Sequence, residues 1–193
     1  MKKLLFISAA LSFFISCNNP KGESKKSTDT SGEEFHWNYP DENAVTKIIN
    51  TNITIDDKDL ISKLNTDFKK EKFKIDEVQT IKENSYPNCK ENLILKFKGN
   101  GIKEYYVKRQ EAKPKNYYPD FTMWIYEFKN EEETKIAEYE IQKAFNSGNG
   151  FCNGKSPEYI VRYKNKIIHL GTRAEMFRGY IKNYADKIEK LND

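Results

Sequence analysis

One early segment has the order of hydrophobic and polar positions that is typical of an amphipathic helix. Leu60, Leu64 and Phe68 recur every four residues, with lysines between them. This spacing places the three apolar side chains on one helix face, and Asp56 or Asp57 can cap the start of the helix.

Residues 36–50 precede this helix and show a similar spacing, from which we predict a short leading helix. Its apolar positions are Ala44, Val45, Ile48 and Ile49. From Lys72 onward hydrophobic and polar positions alternate instead, which is the period of a β-strand. The alternation is clear in three runs, at residues 73–75, 93–97 and 105–107.

Two glycines and an asparagine, residues 99–101, separate the last two of these runs. Because glycine accepts positive φ at little cost, we predict that the two runs pair as a β-hairpin. Residues 110–121 contain two prolines and no periodicity, which predicts a loop. This loop carries Tyr117 and Tyr118, and aromatic residues on loops often contact binding partners. Packing in the domain is the alternative role for both tyrosines.

The second half of the chain begins with residues 122–128, which are mostly apolar and predict a strand buried on both faces. Asn130 then caps a helix that opens with three glutamates, whose charges favour the positive end of the helix dipole. The apolar face of this helix consists of Ile136, Ala137, Ile141, Ala144 and Phe145.

Residues 159–170 predict a second hairpin, with Asn165 and Lys166 as its two-residue turn. In that register Arg162 pairs with His169 on one face of the sheet. The opposite face is apolar and carries Val161, Tyr163, Ile168 and Leu170.

A final helix follows, and Thr172 with Glu175 has the spacing of a capping box at its start. The helix has an apolar seam that we expect to pack on the sheet, at Phe177, Tyr180, Ile181, Tyr184, Ile188 and Leu191. The whole order predicts an α+β two-layer sandwich, with an antiparallel sheet, helices on one face and a β-α-β-β-α C-terminal half. We expect residues 35–193 to form this single domain.

Composition supports a folded chain with an export signal. The chain has 12 Tyr, 12 Phe and 2 Trp, too many aromatic residues for a disordered protein. Residues 1–16 contain two lysines followed by an apolar run that is too short to span a bilayer, so we interpret them as a signal peptide. Without them the chain has 31 basic and 29 acidic residues, and only four of the basic ones are arginines. This balance argues against nucleic acid as a partner.

The end of the signal peptide is more specific. Phe14, Ile15, Ser16 and Cys17 resemble the lipobox of bacterial lipoproteins. The resemblance implies cleavage before Cys17 and acylation of that cysteine, which would attach the chain to the lipid bilayer. An ordinary secretory signal that happens to contain a cysteine is the alternative.

Residues 17–34 hold this cysteine and a polar tether without Val, Ile, Leu or an aromatic residue. By analogy with lipoprotein sorting in Gram-negative envelopes, Asn18 favours the outer membrane. Lysines, rather than an acidic cluster, follow it in the tether. We therefore expect a domain in the cell envelope that faces the periplasm.

Cys89 and Cys152 remain after Cys17 is assigned to lipid. An even pair in an oxidising compartment usually forms a disulfide, although two free thiols or a reactive thiol are alternatives. The sequence contains two histidines, His36 and His169, and none of these cysteines and histidines is at metal-ligand spacing. We therefore expect no metal and no cofactor.

Candidate chemistry is sparse, since the sequence has no nucleophile elbow, phosphate loop, dinucleotide fingerprint or HExxH motif. Arg162, His169 and Arg173 are one candidate, because the predicted register brings the first two together and Arg173 starts the last helix. They could dock an anionic group or a partner. The alternative is a polar sheet face exposed to water.

Three functions follow from these observations. The first is a non-catalytic binding domain of a membrane-anchored lipoprotein, whose partner is an envelope protein or an incoming protein. The second is an immunity or inhibitor lipoprotein that acts against a toxin delivered to the periplasm. The third is an enzyme with an unrecognised site near His169. The absence of catalytic motifs favours the first.

Overall fold

The computed structural model describes residues 39–192, apart from residues 53, 80, 114, 149–151 and 154–155. The predicted signal peptide, Cys17 and the tether lie outside the described residues. In chain order the elements are β1 (Val45–Asn50), α1 (Lys58–Lys70), β2 (Phe73–Gln79), β3 (Glu83–Asn88), β4 (Leu93–Lys98), β5 (Ile102–Arg109), β6 (Asp120–Glu127), α2 (Glu131–Phe145), β7 (Glu158–Tyr163), β8 (Lys166–Gly171), a 3₁₀ turn (Glu175–Phe177) and α3 (Arg178–Lys190).

The strands form two sheets. The larger sheet has the order β2-β5-β6-β8-β7, and every neighbouring pair in it is antiparallel. The smaller sheet has the order β1-β4-β3, in which β1 runs parallel to β4 and β3 runs antiparallel to it. The α+β class is confirmed, as is the β-α-β-β-α order of the C-terminal half, which consists of β6, α2, β7, β8 and α3.

Each face of the larger sheet has its own core, because consecutive residues of a strand point to opposite faces. Ile125 and Ile168 belong to a core that α1 and α3 complete. Tyr126 and Ile167, their neighbours in sequence, belong to a second core that includes α2 and the smaller sheet. The predicted layer of helices therefore corresponds to α1 and α3. A further layer, which consists of α2 and the smaller sheet, lies on the other face.

The predicted leading helix is wrong, because residues 45–50 form strand β1. β-Branched residues such as Val45, Thr46 and Ile48 favour strands, and parallel pairing with β4 extends the segment. Strand β3 has no alternating pattern and contains Pro87. It lies at an edge of the smaller sheet, where a residue without an N–H group is tolerated.

The predicted hairpin of β4 and β5 is also wrong, since these strands belong to different sheets. The turn between them carries the chain from one sheet to the other. Gly99 has a φ of +143° there. A Cβ atom on Gly101 would lie only 2.8 Å from the Glu127 carbonyl and 2.9 Å from the backbone of Asn52. The glycines thus allow close packing of the two sheets rather than a tight turn within one sheet.

The hairpin of β7 and β8 forms, but its turn is Lys164 and Asn165, one residue earlier than predicted. Lys164 adopts the positive φ of 52° that this turn needs. Moving the turn by one residue moves every partner by two, so Arg162 faces Ile167 instead of His169. A shift of two residues keeps each side chain on its predicted face. The predicted apolar face accordingly lies in the α1 and α3 core.

The predicted start is confirmed for α2 and wrong for the last helix. Asn130 caps α2 as predicted, accepting a hydrogen bond from the Glu133 backbone N–H at 2.9 Å. The predicted capping box does not form, because the Thr172 hydroxyl donates to the Asp120 carbonyl and Glu175 pairs with Arg178. The apolar seam of α3 packs into the core as predicted. No helix in the described part of the chain is long and apolar enough to cross a membrane.

Candidate functional site

One face of the larger sheet is only half covered. The strand register aligns Ile102, Tyr126 and Ile167 in a row beneath α2 and the smaller sheet. The next two rows across the sheet are Glu104, Trp124, His169 and Ile160, and then Tyr106, Thr122, Gly171 and Glu158. A cavity of about 610 Å³, which we call the sheet cleft, lies above the last row and above Glu104 and Trp124 of the row before it.

The walls of the sheet cleft combine aromatic and polar side chains. The polar ones are Glu104, Asp120, Thr122, Ser156, Glu158 and Arg173. The Tyr106 hydroxyl donates a hydrogen bond of 2.6 Å to Asp120. Burial, reinforced by this hydrogen bond, raises the pKa of Tyr106 to about 12. Glu104 makes no hydrogen bond or ion pair to any described residue, so its carboxylate is available in the cleft.

Gly171 leaves a small gap in the floor of the cleft. A Cβ atom at this position would lie 3.3 Å from Cζ3 of Trp124, 3.6 Å from Cγ of Glu158 and 3.8 Å from Nε2 of His169. These three side chains therefore surround a space that any other residue at position 171 would fill. We call this space the Gly171 gap.

His169 is buried beneath this gap, with only 3% of its surface exposed. Its ring stacks on Trp124 with a centroid distance of 4.7 Å, and the edge of Phe145 packs against it at 5.2 Å. Its Nδ1 atom is 3.0 Å from the hydroxyl of Tyr86. The ring is held on three sides, so its Nε2 atom has a fixed direction.

The Nε2 atom of His169 is buried without a hydrogen bond. The nearest carboxylate oxygen, Oε2 of Glu158, is 3.4 Å away, which is within ion-pair distance although the geometry of a hydrogen bond is not met. Buried polar atoms are nearly always paired, so an unpaired one beside a cavity needs an explanation. The carboxylate of Glu158 is the group closest to providing the missing partner.

The protons of the neighbouring side chains identify the tautomer of His169. The Ser85 backbone N–H donates to Oδ1 of Asn84, which turns the amide Nδ2 toward the hydroxyls of Tyr126 and Tyr86, at 2.7 and 3.2 Å. The two hydroxyls also bond to each other. If His169 carries its proton on Nε2, Tyr126 donates to Tyr86 and Tyr86 donates to Nδ1, and the only proton without a hydrogen bond is the Nε2–H itself.

The opposite tautomer leaves a buried proton without an acceptor. With the proton on Nδ1, Tyr86 would have to donate to Tyr126, and the Tyr126 proton would face no acceptor among the described residues. The first assignment is favoured because it places a proton on the Nε2 atom that lies 3.4 Å from the carboxylate of Glu158, whereas the second sets a lone pair of Nε2 against that carboxylate. Burial raises the pKa of Tyr86 well above its usual value, and that of Tyr126 also rises because of burial. Both hydroxyls hold their protons at neutral pH.

The structure does not bring Arg162, His169 and Arg173 together. Arg162 lies in the covered row and its Nε is 3.4 Å from Glu138 of α2. Arg173 is exposed on the wall of the sheet cleft and precedes the 3₁₀ turn instead of starting a helix. His169 itself is packed rather than open to water, because Trp124, Phe145 and Tyr86 enclose its ring.

Tyr117 and Tyr118 lie outside the sheet cleft, on the loop between β5 and β6. They are 52% and 48% exposed. Tyr118 lines a separate cavity of about 370 Å³, and its ring is 5.9 Å from Nζ of Lys108. Both rings are thus accessible on the surface, and their role as contact residues stays a prediction.

Cys89 and Cys152 are joined by a disulfide bond, with their Cα atoms 5.7 Å apart. The bond connects the end of β3 to the segment after α2. The Cys89 backbone N–H also donates to the Ser147 hydroxyl at 3.0 Å. The covalent link therefore holds α2 and the smaller sheet together on the face that bears the sheet cleft.

Of the candidate site residues from the sequence analysis, Arg173 lines the cleft and His169 lies beneath Gly171 beside it. The sequence did not predict Trp124, Glu158 and Gly171, which become neighbours only through the pairing of β6, β7 and β8. The alternation of the hairpin did place Glu158 and His169 on the same face, and that signal could have suggested the pair. Within the described ranges no three His, Cys, Asp or Glu side chains could hold a metal ion. No protein-family model, curated protein or solved structure matches this chain.

Proposed function

We propose that this chain is a membrane-anchored lipoprotein with a non-catalytic binding domain in the cell envelope, and that the sheet cleft is its binding site. One observation carries the proposal. The carboxylate of Glu104 lines the sheet cleft without a hydrogen bond or ion pair to any described residue. A binding site holds such a group ready for a ligand, whereas a purely structural core satisfies it.

The rigidity of the cleft supports this proposal. Its floor consists of side chains on paired strands, and the disulfide ties down the elements beside it. Sites built on strands keep their side chains in place before the ligand arrives, which lowers the entropy lost on binding. A volume of about 610 Å³ also falls in the range of sites for small ligands.

The location is part of the same proposal. The resemblance to a lipobox favours acylation of Cys17, and the bond between Cys89 and Cys152 suits an oxidising compartment. The outer membrane, with the domain facing the periplasm, is the proposed position. The partner expected from the sequence is an envelope protein or an incoming protein, and a toxin inhibitor is a narrower version of the same function.

Site-specific crosslinking in intact envelopes tests the binding site. A photo-crosslinking residue in place of Thr122 lies in the cleft, and one in place of Lys182 lies on α3, across the sheet from the cleft. We expect a discrete crosslinked product from position 122 that position 182 does not give. Gly171→Val should abolish it by filling the gap. Identical products from both positions would contradict the proposed site.

An enzyme is a second candidate, because Glu158 lies on the cleft wall with Nε2 of His169 3.4 Å from its carboxylate. A carboxylate held in this way can act as a general base. A binding domain returns its ligand unchanged, whereas an enzyme converts it. Mass analysis of the recovered ligand separates the two. Conversion that Glu158→Gln abolishes, with binding retained, would favour the enzyme.

A further inference from the structure

The walls of the sheet cleft carry more negative than positive charge. Glu104, Asp120 and Glu158 line it, whereas Arg173 is the one basic residue among its described lining residues. The three acidic residues are half-buried, and no described lysine or arginine forms an ion pair with any of them. A partly buried carboxylate without a counter-charge favours a cation beside it, so the cleft favours a positively charged occupant.

These carboxylates are too far apart to share one metal ion. Glu104 lies on β5 and Glu158 on β7, with β6 and β8 between them, so their backbones are roughly 14 Å apart. Within the described residues no three His, Cys, Asp or Glu side chains could hold a metal ion. A cation that needs only one carboxylate fits this arrangement better. Ammonium and guanidinium groups are such cations.

Glu104 and Trp124 form the most specific part of the cleft. The two residues are directly opposite each other on β5 and β6. The indole of Trp124 stacks on His169, which lies on the other side of it, on β8. The second face of the indole is therefore turned toward β5 and Glu104. A cation against this face is attracted by the ring, and the unpaired carboxylate of Glu104 supplies its counter-charge.

A basic side chain of a protein suits these two neighbours. A guanidinium group can stack on an indole with its plane while its N–H groups bind a carboxylate. Arginine is also enriched among the residues that contribute most to protein interfaces. The cleft, at about 610 Å³, is larger than one such side chain. Residues next to it in the partner's sequence therefore have room as well.

We infer that the sheet cleft binds a basic side chain of the partner protein, with its cation against Glu104 and the indole of Trp124. This inference rests on the proposed function and deepens it, because it names the chemistry by which the partner is recognised. The segment that enters the cleft is basic, and arginine is the residue that makes the central contact.

Fluorescence of Trp124 tests the inference. The chain has two tryptophans, so Trp37→Phe leaves Trp124 as the only indole. The full chain in detergent is titrated with triarginine and, as an uncharged probe of the same length, triglutamine, both blocked at their termini. We expect triarginine alone to change the emission of Trp124 in a saturable way. Added salt should weaken this binding, because salt screens the attraction of charges. Equal responses to the two peptides would overturn the inference.

Two glutamate variants provide the matched comparison. Glu104→Gln keeps the size of the side chain, and the loss of its charge should weaken triarginine binding by about tenfold or more. Glu189→Gln removes the same charge from an exposed position on α3, across the sheet from the cleft, and should leave the affinity unchanged. Denaturant unfolding should show that both variants are folded. Equal affinities of the two folded variants would overturn the inference.

Spermidine separates a free amine from a protein side chain as the source of the cation. We expect it to bind more weakly than triarginine, because it has no guanidinium group to stack on the indole. A response to spermidine that Glu104→Gln abolishes, without any response to triarginine, would overturn the assignment to a protein side chain.

The fate of the inference is separable from that of the proposed function. If triarginine does not bind but position 122 still gives its specific crosslinked product, the basic side chain is overturned and the binding site stands. If no probe binds and positions 122 and 182 give identical products, both are overturned.

Discussion

At the scale of single residues, the hydrogen-bonded series behind the cleft is stabilising only when it is complete. The series begins with Asn84, which donates a hydrogen bond to Tyr126. Tyr126 donates to Tyr86, and Tyr86 donates to Nδ1 of His169, where the series ends. Removing one hydroxyl leaves its neighbours unpaired in the core. The cost is therefore the desolvation of the remaining groups as well as the loss of the bonds.

The first prediction concerns the central hydroxyl of this series. Tyr86→Phe keeps the ring but removes a group that contacts Asn84, Tyr126 and His169. We expect the free energy of unfolding to fall by about 1–3 kcal/mol, measured by denaturant unfolding. Tyr117→Phe, at an exposed position, is the control and should have no effect. Equal stability of the two variants would mean that the series contributes nothing.

The second prediction concerns alkaline pH. Burial raises the pKa of five tyrosines above their usual value of 10.0, namely Tyr86, Tyr105, Tyr106, Tyr126 and Tyr184. The unfolded chain therefore loses these protons at a lower pH than the folded chain does. Stability is complete below about pH 10 and falls as the pH rises above it. Unfolding curves between neutral and alkaline pH should show this decline. We expect the free energy of unfolding of Tyr86→Phe to fall less steeply with pH than that of the wild type. Equal slopes would contradict the raised pKa of Tyr86.

At the scale of elements, local patterns predicted the helices and the faces of strands better than the pairing of strands. The cap of α2 and the apolar face of α3 depend on residues a few positions apart, so the sequence contains their cause. The partners of β4 depend on distant segments. Gly99 and Gly101 fit a hairpin turn equally well, and only the closeness of Asn52 and Glu127 shows their actual role.

The packing of α3 gives a prediction with a control of the same residue type. Ile181 is completely buried in the core of α1 and α3, whereas Ile136 on α2 is 57% exposed, although the sequence predicted it to face the core. Ile181→Ala should lower the free energy of unfolding by about 2–5 kcal/mol. Ile136→Ala should change it by less than about 0.5 kcal/mol. Thermal and denaturant unfolding measure both, and similar losses would contradict the packing described.

At the scale of the whole molecule, the candidate site was beyond prediction because four strands contribute to it. His169 was found as a polar residue on a strand, but its expected partner Arg162 contacts Glu138, and Arg173 lies on the wall of the cleft. The actual neighbours of His169 are Trp124 and Glu158. They meet it only when β6 and β7 pair with the two edges of β8, and no local pattern encodes that arrangement.

The disulfide acts on the whole chain, because it closes a loop with a sequence separation of 63 residues. Restricting the unfolded chain in this way stabilises the folded state by roughly 4 kcal/mol. We expect the oxidised protein to exceed the double variant Cys89→Ser/Cys152→Ser by that amount in unfolding free energy. Reductant should bring the wild type to the level of the variant. A free energy of unfolding that does not change when reductant is added would contradict this role.

Attachment to the membrane is the second property of the whole molecule. Cys17→Ala should move the protein out of the membrane fraction or block its maturation, because acyl chains are the expected anchor. Fractionation with mass analysis of the N-terminus measures both. Lys26→Ala, in the tether, is the control and should stay with the membrane. An unlipidated N-terminus in the native protein would contradict the lipoprotein assignment.

All the hydrogen bonds in the series behind the cleft are donated in one direction, from Asn84 through the two tyrosines to His169. The opposite tautomer of His169 would require the protons of Tyr86 and Tyr126 both to reverse. The Tyr126 proton would then lack an acceptor, at a cost of about 1–3 kcal/mol. An amide on the smaller sheet, that of Asn84, therefore helps to set the tautomer of a histidine on the larger sheet.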